Sequence, residues 1–162
     1  YIYTNEYHDQ NLLAYFIDGL AASRPRSAFL SFYQILERLG HERKGKTKEK
    51  KALRDLICDK SLFSDLSISN SCKYADRFHD NYNFTQRFCG KAGRWKRCEI
   101  ADMLYDETRN PLIHAKDEYI KADNALTQKD SIPPFSRLEY EHEVESRTIL
   151  CRELARTAIL KT

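Results

Sequence analysis

Valine occurs once in these 162 residues, at Val144. Strands favour β-branched side chains, so this scarcity argues against a sheet core. No apolar run is long enough to span a bilayer, and no basic, apolar, small-residue order marks a secretory leader, so the expected setting is the cytosol. Methionine also occurs once, at Met103, and the chain begins at Tyr1, as expected of a trimmed chain or of one domain of something longer. Cys-x-x-Cys and His-x-x-x-His pairs are missing. The five cysteines, Cys58, Cys72, Cys89, Cys98 and Cys151, are odd in number and scattered, which predicts reduced, mostly buried thiols and neither a metal nor another cofactor. Net charge is only +3, so affinity for nucleic acid has to come from a local patch.

What the chain does have is aromatic residues, ten Tyr and eight Phe, set on helical periods. Residues 1–10 show no clear period and read as an arm or linker end; residues 11–162 read as one domain. From Asn11, the series Leu12, Leu13, Phe16, Ile17, Leu20 predicts an amphipathic helix. Arg24-Pro25-Arg26 turns the corner into a second, carrying Phe29, Phe32, Tyr33, Leu36 and Leu39, with Gly40 as its expected C-terminal cap. Further helices are predicted around Leu53, Leu56 and Ile57, through the motif region near Met103, and from Ser136 nearly to the end, with Pro133-Pro134 in a loop. The whole reads as an all-α bundle of about five principal helices with short extra ones.

Gly40-His41-Glu42-Arg43-Lys44-Gly45-Lys46-Thr47 fits the spacing of a phosphate-binding loop. That loop works only between a buried strand and a helix, and a helix precedes Gly40, so a P-loop-type nucleoside triphosphatase is the weaker reading. Between Arg87 and Arg97 lie five cations and no acid. Lys91, Arg94, Lys96 and Arg97 around Trp95 could pair with phosphates while the indole stacks on a base; equally, Trp95 could cap the core.

The sharpest constellation is Arg109-Asn110-Pro111-Leu112-Ile113-His114. Cleaving RNA through its own 2′-hydroxyl needs a proton carrier near neutral pH, which His114 supplies, and a fixed cation for the phosphoryl oxygens, which Arg109 supplies. In a regular helix, side chains five apart do not share a face. Pro111 is expected to push Asn110 out of the α region and turn the two toward one cleft. Asp106, one turn back, could hold Arg109 in place, or the two could form only a surface ion pair worth little. Composition alone would give such an Arg/His spacing about 0.4 times, and a second copy, Arg137 to His142, reads as a solvated helix face.

With its surroundings Ala101-Asp102-Met103-Leu104-Tyr105-Asp106-Glu107-Thr108-Arg109-Asn110-Pro111-Leu112-Ile113-His114-Ala115, and with Ser31-Phe32-Tyr33-Gln34-Ile35-Leu36-Glu37 upstream, the chain resembles the HEPN superfamily, in particular its Apea-like branch, over about Leu12 to Lys161. The resemblance implies a HEPN-like helical bundle and a metal-independent endoribonuclease whose Arg-x4-His motifs face one another across a homodimer. Arg109, Asn110 and His114 match that motif position by position. It also implies RNA as substrate and a regulatory or sensor domain, or an antitoxin partner, outside this chain, as in defence or toxin systems. Members that keep the fold without the activity make a silent nucleotide- or RNA-binding module the alternative.

Overall fold

The computed structural model describes residues 2–44, 48–78, 83–114 and 134–161, with side chains at 11–42, 48–78, 83–114 and 142–161. Its first two helices, α1 (Ile2–Ala21) and α2 (Pro25–Lys44), form a hairpin. Pro25 opens α2 at the first helical position, where a missing amide proton costs nothing. α1 begins within the segment read as an arm. The hairpin closes tightly because Gly19 has no side chain: a Cβ there would lie 2.6 Å from Cε1 of Phe32. The Phe32 ring also meets Phe16, at 5.3 Å between centroids.

α3 (Glu49–Cys58) packs back on α2. Gly40 does not cap α2 as its residue type suggested; the helix runs on to Lys44. Gly40 is needed for close approach instead, since a Cβ there would sit 3.1 Å from the Ala52 carbonyl oxygen. A helix, not a strand, therefore leads into the phosphate-loop pattern, whose residues 45–47 lie outside the described residues.

Ser64 starts α4 (Asp65–Asp76) by accepting from the Ser67 amide, and Asn83 starts α5 (Phe84–Phe88) by accepting from that of Gln86. Asp76 ties the two together, taking the Phe84 and Thr85 amides at 2.6 and 3.1 Å. A tight basic turn follows. Then α6 (Arg97–Asp102) passes into a π-helical segment (Met103–Arg109) and on into α-helix at 110–114; residues 97–114 form one motif helix. Residues 115–133 lie outside the described residues. α7 (Pro134–Lys161) starts on Pro134, within the segment read as a loop, and packs along α2 and α4.

All principal elements among the described residues are helical, so the protein is an all-α bundle, as its composition indicated. Phe29, Phe32, Tyr33, Ile35 and Leu36 of α2 sit at its centre, with α3, the motif helix and α7 around them. No helix among the described residues is long and apolar enough to cross a membrane.

Gly19→Ala is expected to destabilise the fold by about 1–3 kcal/mol through overpacking, although alanine is the better helix former by about 1 kcal/mol. Denaturant unfolding measures the sign. A stabilised Gly19→Ala variant would contradict the tight crossing at Phe32.

Candidate functional site on the motif helix

Pro111 disturbs its helix, but not where the sequence suggested. Asn110 stays in the α region, at φ −61° and ψ −50°, and the chain remains helical through His114. The misfit is absorbed before the proline, in the π-helical turns of Met103–Arg109. There the Asn110 amide donates to the Tyr105 carbonyl, five residues back, and the Thr108 hydroxyl donates to the Met103 carbonyl at 3.0 Å, over the same interval.

In an α-helix the Glu107 carbonyl would receive the amide of residue 111, and proline has none. Arg147 of α7 supplies the missing donor: its Nη1 donates to the Glu107 carbonyl at 2.9 Å and to Thr108 Oγ1 at 3.2 Å. The other end of this buried guanidinium pairs with the carboxylates of Glu107, at 3.2 Å, and Glu143.

The wider turns redirect the motif's charges. Three residues apart in an α-helix, Asp106 and Arg109 would be neighbours; here they part. Asp106 binds Lys50 at 2.5 Å, which corrects the expected Asp106 to Arg109 pair. Arg109 instead directs Nε to Glu49 Oε1 at 3.1 Å, donates from Nη1 to Asn110 Oδ1 at 2.9 Å, and lies over the Tyr105 ring, 5.5 Å from its centroid.

Behind Glu49 stands a polar cluster from α2. The buried Tyr33 hydroxyl donates to Glu49 Oε1 at 3.3 Å. Burial above all, and then the nearby carboxylates of Glu49 and Glu37, push the Tyr33 pKa far above its usual value and keep the hydroxyl a donor. Burial, then Glu49, also raise the pKa of Glu37, against the opposing pull of Arg109 and of His41, whose Nε2 is 4.0 Å from the Glu37 carboxylate. Sequence reasoning missed Tyr33, Glu37, Glu49 and Arg147, because each reaches the site from another helix.

His114 is exposed, and among the described residues the partners of Arg109 do not include it. It lies one α-helical turn beyond Asn110, so these two share a face. Asn110 thus links the motif: Arg109 bonds to it, and His114 follows it along the helix.

The basic turn divides in two. Lys91, Arg94 and Lys96 are exposed around a reversal in which Ala92 and Gly93 have φ of 60° and 70°. Trp95 is half-buried against the core. Arg97 is buried, and its guanidinium is consumed internally, donating to the Ile57 and Phe63 carbonyls at 3.0 and 2.6 Å and to Asp65 at 2.6 Å. The expectation that Arg97 contacts RNA is therefore corrected: it closes the C-terminal end of α3. Of the second Arg/His copy, His142 is exposed, 3.9 Å from Glu145, while the Arg137 side chain lies outside the described residues.

An all-α bundle with a proline-interrupted motif helix braced by a buried arginine is the class of protein these features define. A family model described as methylamine utilization protein MauJ matches residues 12–160, nearly the whole chain. The chain belongs to the MauJ family. Searches of curated proteins and of solved structures find no match to it.

The raised Glu37 pKa carries a pH signature. A carboxyl that binds its proton more tightly when folded than unfolded makes unfolding harder as pH falls. Wild-type stability is therefore expected to decline, relative to Glu37→Gln, as pH rises from about 4.5 through the raised value, and then to level off. Denaturant midpoints of both proteins across that range test this; a wild type that gains on Glu37→Gln with rising pH would contradict it.

Proposed function

We propose that this chain is a HEPN-like domain that cleaves RNA without a metal, as a homodimer with one motif contributed by each copy. What carries the reading is the continuous polar face made by Arg109 bonded to Asn110 at 2.9 Å and His114 one turn further on, open to a partner or substrate. His114 would take the proton of the 2′-hydroxyl as its oxygen attacks phosphorus, and return a proton to the departing 5′-oxygen. The products are a cyclic phosphate and a free 5′-hydroxyl. Arg109 would hold the phosphoryl oxygens as their charge grows, and Asn110 would orient Arg109 and the scissile phosphate. Glu49 and Tyr33 would act as positioning residues, fixing the guanidinium from behind.

Exposed Lys91, Arg94 and Lys96 would guide the RNA backbone. A sensor or antitoxin partner would restrain the activity. In methylamine utilization, the process the family is named for, such a protein would act on RNA rather than on the amine.

A second reading rests on one observation, the Glu49 carboxylate already facing Arg109. In it the domain is catalytically silent, dimerises and binds RNA or a nucleotide. Incubating the wild type with a mixed RNA pool in EDTA separates the two. Cleavage leaving cyclic-phosphate ends is expected, reduced on the order of 10²–10⁴-fold by His114→Ala and comparably by Arg109→Ala, with all three proteins folded. Intact RNA bound equally by all three would contradict the enzyme and support the silent module.

A further inference from the structure

α3 and the motif helix run antiparallel and are joined rung by rung. Glu49 meets Arg109 at 3.1 Å, Lys50 meets Asp106 at 2.5 Å, and Arg54 spans both oxygens of Asp102 at 2.9 and 3.1 Å. Residues 50, 54 and 58 are one helical turn apart on α3, as are 106, 102 and 98 on the motif helix. The next rung is Cys58 and Cys98, whose Sγ atoms lie 3.3 Å apart. Both residues are exposed, unlike Cys72 and Cys151. Two accessible thiols held in contact by a ladder of ion pairs are not the scattered, mostly buried cysteines that the sequence suggested.

We propose that Cys58 and Cys98 form a thiol–disulfide exchange site for small-molecule disulfides such as glutathione disulfide, whose oxidised form cross-links α3 to the motif helix. A disulfide requires the sulfurs to close to about 2.05 Å, a shift on the scale of a side-chain rotation from contact. The thiols are already neighbours, so closure leaves the ladder's register intact. Among the described residues no group of three His, Cys, Asp or Glu side chains is placed to hold a metal ion, which favours exchange over metal capture.

In the reaction Cys98 gives its proton to solvent, and its sulfur attacks one sulfur of the small disulfide, RSSR. The S–S bond of RSSR breaks, and the departing RS⁻ takes up a proton. Cys58 then loses its proton and attacks the Cys98 sulfur, expelling the second RS⁻, which is protonated in turn. Two thiols and RSSR become one protein disulfide and two RSH; the protein loses two electrons and RSSR gains them. The exchange balances equally with the two sulfurs in the opposite order; it is written from Cys98 because partial burial, and then the contact with Cys98, raise the pKa of the Cys58 thiol. Neither step uses Arg109, Asn110 or His114, so the proposal stands apart from the ribonuclease reading.

The test starts from fully reduced protein, with five free thiols. In excess glutathione disulfide the thiol count is expected to fall to three, with the mass of two hydrogens lost and a peptide map linking Cys58 to Cys98. The melting temperature should rise by roughly 10 °C and return on reduction. Cys58→Ser and Cys98→Ser should each accumulate a stable glutathione adduct on the remaining cysteine of the pair. A protein that keeps five thiols, that holds adducts on Cys58 or Cys98 without closing the bond, or that links other cysteines would overturn the proposal.

Discussion

The hydrogen bond from Arg147 to the Glu107 carbonyl is the constraint on which the site depends. Pro111 takes away the donor that this carbonyl would have had in an α-helix, and its ring crowds the same turn. The chain answers with π-helical turns before the proline and with a guanidinium brought in from α7. Burying that charge would be unfavourable were it alone. It is not alone: Glu107 and Glu143 meet its second nitrogen, and Thr108 shares the first. A local defect on the motif helix has become a tertiary contact between the motif helix and α7.

The remaining features of the site follow from those wider turns. They separate Arg109 from Asp106, freeing one for Glu49 and the other for Lys50, and so bring both into register with α3. The solvent-facing pair of Lys50 and Asp106 contributes little stability by itself, and Arg109 and Glu49 are half-buried. Their consequence is geometric, since charges of opposite sign one helical turn apart on two antiparallel helices admit few alternative alignments. Arg109 is thereby held from behind by Glu49, to which Tyr33 donates, and from the side by Asn110, while His114 stays open to solvent. The π segment thus sets the face on which the proposed chemistry depends and the pairing of Asp106 and Arg109 with α3, while the Asp102 and Cys98 rungs belong to α6 before it.

Much of this was legible in the sequence, and the rest was hidden for identifiable reasons. The near absence of valine and the three- and four-residue spacing of Phe29, Phe32, Tyr33 and Leu36 announce helices, because burial on one face imposes that period. Gly40 misled: glycine serves both helix ends and close helix crossings, and only the neighbouring Ala52 distinguishes them. Pro111 announced a disturbance but not its form, because the donor that relieves it is 36 positions later in the chain, at Arg147. Arg97 looked like its exposed neighbours Arg94 and Lys96, although the carbonyls it satisfies belong to Ile57 and Phe63. The complementary series Lys50, Arg54, Cys58 and Cys98, Asp102, Asp106 was present at four-residue spacing. It becomes a signal only once α3 and the motif helix are known to be antiparallel neighbours.

Arg147 replaces the amide proton missing at Pro111, and a double-mutant cycle on stability measures this directly. Wild type, Pro111→Ala, Arg147→Leu and the double variant would be unfolded in denaturant under identical conditions. Since Pro111→Ala restores an amide that can bond the Glu107 carbonyl, losing Arg147 should cost less in the Pro111→Ala background, with a coupling of about 1–2 kcal/mol. Strictly additive losses would mean that the two residues act independently, and would contradict the account.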